Sequence, residues 1–462
     1  MLTDIKKINF KENILQTIGN TPLVKLNKIS KRYKPQIFLK LEYFNPGGSI
    51  KDRIGIEIID DAERDGRLRP GGTIVEATSG NTGVGLALAA AVKGYKCIFT
   101  IPDKMSNEKI SLLRAFGAEV IITPTAVPHE SPESYTEVAK RIVRETPNSI
   151  LANQFFNKKN PEAHYKNTGK EIWEQTGGQI DYFVTGVGTG GTISGVGKFL
   201  KEKNPKVKTI VADPKGSVLY TYFQTKKLPD TFSPYKVEGI GLDWIPGTFH
   251  AEYVDEIIEV SDKESFLVAR RLAREEGIFA GGSAGTALAA TLKVAERLDE
   301  NHVIVVLIPD TGERYLSKMY NDNWMREHGF LIPEKITMRF VLQGKSKNLA
   351  PIISIDRNAT VQHTLDLFKQ FDVSQLPVLE NDKPVGSVDD GELMKAVLEN
   401  NSLLDKPVSQ VMNPTFPIIG AESPIEHAIE LLTKKYSAIL IEDNKKIIGL
   451  VTRYDLIEYM SR

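Results

Sequence analysis

Short β-rich runs alternate with helical patterns from the start of the chain to about position 330. TIVEA (73–77) precedes a small-residue helical stretch at 82–93, and YKCIFTI (95–101) precedes a helix near 106–117. AEVIIT (118–123) then gives way to the amphipathic SYTEVAKRIVRET (134–146). This alternation predicts an α/β fold with a mainly parallel sheet. DYFVTGV (181–187), KTIVAD (208–213) and HVIVVLIP (302–309) predict further strands. The last is almost wholly apolar, as a strand covered on both faces should be.

The pattern changes after residue 330. LIPEKITMRFVLQGKSKN (331–348) has no clean period and ends polar, which marks a linker between residues 1–330 and 349–462. The second part is a duplication. An apolar helix pattern starts at Val361 and again at Ile425, and a hairpin turn ending at Gly386 in KPVGSV returns at Gly449 in KIIGLV. The two intervals differ by a single position, 425 − 361 = 64 against 449 − 386 = 63. Two β–α units at one spacing, about 349–400 and 407–462, are expected to pack on each other.

Composition narrows the function. The 462 residues hold 59 Lys+Arg and 59 Asp+Glu, so formal charge is zero and no broad footprint for nucleic acid or anionic membrane is expected. The longest apolar runs, 84–92 and 303–308, fall far short of the roughly 20 residues of a membrane helix. The N-terminal MLTDIKKINFKEN has no signal-like stretch, so the expected compartment is the cytoplasm. A lone cysteine, Cys97, rules out internal disulfides, and its place in a predicted buried strand suits the core. None of His129, His164, His250, His302, His328, His363 and His427 has an i, i+4 partner, so no metal site is expected.

Three turns are expected where strands meet helices, the usual ligand edge of an open α/β sheet, and a fourth segment opens a helix after a Gly-Gly turn. TSGNTG (78–83) offers backbone N–H groups and hydroxyls suited to a carboxylate, although an ordinary helix cap explains it equally well. GVGTGGT (186–192) can cradle a phosphate, with a tight packing turn as the alternative. In GGSAG (281–285), Ser283 is a cap or a ligand contact. In NPGGSIKDR (45–53), Lys51 opens a helix running to about Gly66, where a cation is disfavoured. A lysine with lowered pKa suits Schiff-base chemistry, against the alternative of a solvated surface lysine.

In this order the segments resemble the cysteine synthase/cystathionine β-synthase family of fold-type II pyridoxal-phosphate enzymes. IGNTPLVKL (18–26), MSNEKISLLRAFGAE (105–119), NQFFNKKNPEAHYKNTGKEI (153–172) and VEGIGLDWIP (237–246) extend the resemblance along nearly the whole chain. The MS-EK loop, the AHY segment and the VEGIG-D pattern lean toward the cystathionine β-synthase branch. The implied fold is a core of two open α/β subdomains followed by tandem CBS repeats. The resemblance makes Lys51 the Schiff-base lysine and Asn81 the partner of the cofactor's ring hydroxyl. Gly188, Thr189, Gly190, Gly191 and Thr192 would hold the phosphate, and Ser283 would face the pyridine nitrogen. Thr78, Ser79, Asn81, Thr82, Gln154 and Gly239 would surround the substrate, the hydroxyls and Gln154 receiving its α-carboxylate.

The activity so implied is β-replacement, in which Lys51 removes the α-proton, the β-substituent leaves, and a thiol adds. Serine with homocysteine, giving cystathionine for cysteine biosynthesis by transsulfuration, is the leading pair. Cysteine synthesis from O-acetylserine and sulfide is the first alternative. A hydroxy-amino-acid dehydratase and a catalytically quiet adenosyl-ligand sensor stand further off. The resemblance also implies at least a homodimer.

Three departures matter. Residues 1–50 contain neither Cys nor His, so no haem is expected, unlike animal-type relatives. Leu242 stands where many members carry tyrosine, removing a hydroxyl from the pocket edge while Trp244 adds bulk nearby. In the C-terminal repeats, which resemble modules binding S-adenosylmethionine or adenine nucleotides, TRYD gives Thr452 and Asp455 at the ribose-binding spacing. The first repeat ends DDGE instead, with Asp389 and Glu392. One ligand site, near the second repeat, is therefore expected, with a ligand-free dimerisation module as the alternative.

Overall fold

The structure, a computed structural model, describes residues 9–78, 80–103, 105, 107–124, 127–128, 130–229, 233–331, 336–345 and 352–460. Two compact units divide the chain, Met1–Leu331 and Ile332–Arg462.

The first unit is α/β throughout. Strand β1 (Leu23–Lys25) pairs antiparallel with β2 (Gln36–Leu41), and helix α1 (Lys51–Arg64) follows. Next come β3 (Thr73–Ala77), α2 (Asn81–Lys93), β4 (Lys96–Pro102), α3 (Asn107–Ala115), β5 (Glu119–Thr123), α4 (Tyr135–Glu145) and β6 (Ser149–Leu151). These four strands form a parallel sheet in the order β5-β4-β3-β6. Then follow α5 (Lys159–Ala163), a π-helical turn (His164–Gly169), α6 (Lys170–Gln175), β7 (Tyr182–Gly186), α7 (Gly191–Lys203), β8 (Lys208–Pro214) and α8 (Leu219–Thr225). Strand β9 (Glu256–Val260), α9 (Asp262–Glu276), α10 (Gly282–Ala295), β10 (Val303–Ile308) and α11 (Asp322–Glu327) complete the unit. The second sheet runs β1-β2-β10-β7-β8-β9, parallel from β2 onward.

Local sequence explains the helices beside the site. Helices α2 and α10 carry almost only small or apolar side chains, and both are buried nearly all round. Helix α9 starts with a capping box, Ser261 and Glu264 each bonding the other's backbone N–H. The predicted strands and helices appear within a residue or two of their expected ends. Cys97 lies buried in β4, its thiol pushed up to about 12 by burial.

The second unit contains α12 (Met338–Gln343) and then two copies of one pattern. The first copy is β11 (Ile355–Asp356), α13 (Val361–Phe371), β12 (Gln375–Glu380), β13 (Lys383–Asp389) and α14 (Asp390–Glu399). The second is β14 (Ile418–Gly420), α15 (Ile425–Lys434), β15 (Ala438–Asp443), β16 (Lys446–Thr452) and α16 (Arg453–Met460). In each, a parallel outer strand joins an antiparallel hairpin. The hairpins turn at Asn381–Asp382 and Asn444–Lys445, all with positive φ, as two-residue turns matching strand twist require. Gly386 and Gly449 therefore lie inside β13 and β16, beside the register shifts, rather than ending the turns. The stretch expected as a linker is structured over 336–345. Met338 and Val341 of α12 are buried in the core of the second repeat with Ile419, Ile425 and Leu432. Among the described residues, no helix is long and apolar enough to cross a membrane.

Candidate active site

The turn before α1 is held from both sides by the segment that follows β10. Ile50 N–H donates to Pro309 O at 2.9 Å, and Thr311 N–H donates to Gly48 O at 3.2 Å. The same segment reaches the start of α10, where Gly281 N–H donates to Asp310 O at 3.2 Å. Lys51 and Ser283, far apart in the sequence, are thus tied to one strand end.

A buried ionic network fixes the first turn of α1. Arg53 bonds Glu42 at 2.7 Å and Glu171 at 2.7 Å, while Lys40 meets Glu171 at 2.8 Å and Thr21 donates to Glu42 at 2.6 Å. Every one of these ions is paired, as burial demands. Asp52 accepts the Gly47 N–H at 2.5 Å, and burial pushes its carboxyl up to about 7. The Lys51 residue keeps part of its surface exposed, but its amine is enclosed by the surrounding protein. Its amine is lowered to about 8 by desolvation, with Asp310 and Glu42 pulling part of the way back. The expected lowering is present, and its leading cause is burial rather than the helix terminus.

Asn81, the first residue of α2, is gripped at both ends of its carboxamide. Its Nδ2 donates to Asp310 Oδ2 at 2.8 Å, and its Oδ1 accepts from Arg314 Nη1. Arg314 also donates to Gly47 O in the Lys51 turn, and Tyr315 OH donates to Asp310 Oδ2 at 2.6 Å. Asp310, Arg314 and Tyr315 are all buried.

The hydroxyl-rich turn meets a second segment. Thr78 is buried and its Oγ1 accepts the Gly80 N–H at 3.0 Å. Thr82 Oγ1 donates to Gln154 Oε1 at 2.5 Å. Glu76, buried in β3, accepts the backbone N–H of Asn153 at 2.6 Å and of Gln154 at 3.4 Å, and burial pushes its carboxyl up to about 8. Ser79 lies outside the described residues.

The third group forms a cradle at the start of α7. The first helical bond runs from Ser194 N–H to Gly190 O at 3.1 Å, which leaves the N–H groups of Gly191, Thr192 and Ile193 outside the helix's own ladder. Gly190 has φ +92°, and a Cβ on Gly191 would overlap the Asn160 carboxamide oxygen, so side chains are excluded here. Gly188 approaches the carbonyl of Gly239 too closely for a side chain, which brings the VEGIG segment against the cradle. Asn160 Nδ2 donates to Thr189 Oγ1 at 2.8 Å and to Gln154 O at 2.8 Å. Because Thr189 Oγ1 accepts that bond, its own hydrogen remains available to a ligand. Thr192 Oγ1 lies 3.3 Å from His164 Nε2, whose ring is kept neutral by burial and by the nearby Lys51 and Arg53.

Ser283 is buried in the first turn of α10, beside Gly281, whose missing side chain makes room for Asp310 Oδ1. Leu242 is buried in a core cluster with Ile50, Val187 and Phe249, and its backbone bonds Ser217 and Val218. The position expected at the pocket edge is therefore packed inward. Trp244 stacks on Phe156 at 5.5 Å and tilts against Phe155 at 5.1 Å, just after Gln154.

One set of groups thus offers an amine of lowered basicity, an anion cradle at a helix N-terminus, a clamped carboxamide and a buried serine hydroxyl. These groups suit pyridoxal phosphate: the 188–192 turn would hold its phosphate, Lys51 its aldehyde carbon, Asn81 its ring hydroxyl and Ser283 its ring nitrogen. Sequence reading missed Asp310, Arg314, Tyr315 and Asn160. PDTGERY (309–315) follows the all-apolar β10 directly, so the strand-end rule that found TSGNTG and GVGTGGT would have found it.

In the second unit, Thr452 and Asp455 form a cap at the start of α16. Asp455 Oδ2 accepts from Thr452 N–H at 2.7 Å and Oγ1 at 2.9 Å, and Lys345 Nζ sits 3.0 Å from Oδ1. Asp389 caps α14 in the first repeat by accepting from the Gly391 and Glu392 N–H groups.

Residues 14–310 match the family of pyridoxal-phosphate dependent enzymes, and residues 347–399 and 408–462 each match the CBS domain. The chain is 41% identical over 466 residues to the cystathionine beta-synthase of Dictyostelium discoideum, covering 98% of this chain and 92% of that one. It is 39% identical over 503 residues to that of Saccharomyces cerevisiae, covering 98% of each. Among solved structures, the cysteine synthase of Entamoeba histolytica is 41% identical with TM-score 0.62, over 68% of this chain and 92% of that one. A hydrogen sulfide-producing enzyme from Fusobacterium nucleatum is 39% identical with TM-score 0.62, over 66% of this chain and all of that one. The chain belongs to the cystathionine β-synthase family, as a pyridoxal-phosphate-dependent β-replacement enzyme with a fold-type II core followed by two CBS domains.

Proposed function

We propose that the protein replaces the β-hydroxyl of L-serine with the thiol of L-homocysteine to give L-cystathionine. The observation that supports this reading is that the segment after β10 bonds the Lys51 turn, the start of α10 that carries Ser283, and Asn81, while the 188–192 turn follows the neighbouring β7. Likeness to relatives named cystathionine beta-synthase over nearly the full chain, repeats included, supports the substrate pair. When bound, pyridoxal phosphate supplies an electron sink for the pair left on the substrate's α-carbon.

Lys51 would hold the cofactor at rest and, as a free amine, would take the substrate's α-proton on Nζ and later return it. An amine lowered to about 8 can hold and release that proton near neutral pH. The same reading assigns Thr78, Ser79, Thr82 and Gln154 to the α-carboxylate and Asn81 and Gly239 to the substrate. Helix N–H groups add to its binding, and charge-assisted bonds of about 1.5–3 kcal/mol each fix the amino acid's orientation. Ser283 gives the ring nitrogen a neutral partner, which limits electron withdrawal and favours loss of the β-substituent.

Cysteine synthesis from O-acetylserine and sulfide is the second reading, supported by the fold shared with the Entamoeba enzyme. Parallel assays decide between them, using serine with homocysteine against O-acetylserine with sulfide while pyruvate release is followed. A higher kcat/KM for the second pair would overturn the first. The same reading places the enzyme in the cytoplasm as a homodimer or larger assembly, which light scattering tests. It assigns an adenosine-containing ligand, S-adenosylmethionine or an adenine nucleotide, to Thr452 and Asp455.

A further inference from the structure

A carboxamide has two orientations of nearly equal shape, with nitrogen and oxygen exchanged. At Asn81 the surroundings distinguish them. Nδ2 faces the carboxylate of Asp310, and Oδ1 faces the guanidinium of Arg314. Turning the group over would set a donor against donors and an acceptor against an acceptor. Nδ2 carries two hydrogens, and only one is spent on Asp310.

The two clamping groups are themselves held. Asp310 Oδ2 takes a second bond from Tyr315 OH at 2.6 Å, and its peptide is bonded to Gly281. Arg314 reaches Gly47 O with its other nitrogen. The clamp therefore rests on the turn that carries Lys51 and on the helix that carries Ser283.

We infer that Asp310 and Arg314 are positioning residues that fix the Asn81 carboxamide so that its second N–H is presented to the cofactor's ring hydroxyl. The inference rests on the reading of Asn81 given above. A donor at that oxygen stabilises its anionic, visible-absorbing tautomer over the neutral one that absorbs in the near ultraviolet. The clamp thus sets the tautomer balance as well as the rate.

The test uses the full-length enzyme loaded with pyridoxal phosphate. The ratio of visible to near-ultraviolet absorption is recorded across pH for Asp310→Asn, Arg314→Met and Asn81→Ala, together with kcat and KM. Asp310→Asn and Arg314→Met should each lower that ratio and cut kcat by about tenfold or more, with KM changed less. In an Asn81→Ala background, Asp310→Asn should change the absorption ratio by less than about twofold, because its action on the ring hydroxyl passes through the side chain already removed. If Asp310→Asn does not fold, Tyr315→Phe, which deletes one bond to Asp310, should shift the ratio the same way by a smaller amount.

An unchanged ratio in Asp310→Asn, or in Tyr315→Phe where that variant stands in, overturns the clamp if Asn81→Ala alone shifts it. So do fully additive effects on that ratio. An unchanged ratio in Asn81→Ala itself overturns the reading of Asn81, and the clamp with it.

Discussion

Thr82 Oγ1 donates a 2.5 Å hydrogen bond to Gln154 Oε1, joining the first turn of α2 to the loop after β6. The two strands that deliver these residues are neighbours, β3 pairing with β6 in parallel. If both side chains receive the substrate carboxylate, Thr82→Val should raise KM for the amino acid by about 10- to 100-fold. The thiol's KM should move little. Gln154→Ala combined with Thr82→Val should cost less than the sum of the two. Steady-state kinetics with both substrates varied checks this.

Lys51, lowered to about 8 by burial, is protonated below that value and a free amine above it. Reloading of pyridoxal phosphate onto cofactor-free protein should therefore accelerate as pH rises through about 8. Stopped-flow absorbance measures the rate. Lys51→Ala should abolish turnover and leave no bond to the cofactor that borohydride can fix, and mass spectrometry after reduction reads that directly.

A methyl group at Gly191 would collide with the Asn160 side chain that holds Thr189. Gly191→Ala should cost about 1–3 kcal/mol from overpacking and weaken cofactor affinity at least about tenfold. Fluorescence titration of the cofactor-free variant measures the second effect separately from the thermal midpoint.

Glu76 has its carboxyl raised by burial from 4.5 to about 8. Between those values the folded protein keeps a proton that the unfolded chain has released, so this group lowers stability as pH rises and adds no further loss above about 8. Glu76→Gln keeps an acceptor for the Asn153 N–H without the charge. The variant's thermal midpoint should gain on the parent steadily from pH 4.5 to 8 and then hold level, as calorimetry at several pH values will show.

In the second unit, Lys345 occupies one oxygen of Asp455 while Thr452 occupies the other. A ribose diol binding there must displace the lysine. Lys345→Met should therefore tighten the binding of adenosine itself severalfold. A ligand bringing phosphate should gain less, because it loses a cation. Isothermal calorimetry with adenosine, AMP, ATP and S-adenosylmethionine checks the ranking, and no heat from any of them would remove the ligand site.

The hydrophobic pattern by itself determined the α/β order of the first unit, because strand and helix periods are properties of neighbouring residues. It likewise revealed the duplication, whose helices begin at Val361 and Ile425 as the repeat spacing requires. The turns at 78–83 and 186–192 were legible since each follows a strand directly, whereas 281–285 opens α10, which follows α9. The tertiary structure decided what lies between them. Asp310 and Arg314 gain their place only when β10 inserts between β2 and β7, since a hydrogen bond from Asn81 to Asp310 leaves no local trace in the sequence. Leu242 faces inward for the same reason, and α12 joins the second repeat through Ile419, Ile425 and Leu432, far along the chain. Burial likewise set the values of Lys51 and Glu76, because desolvation depends on every chain segment packed around a charge.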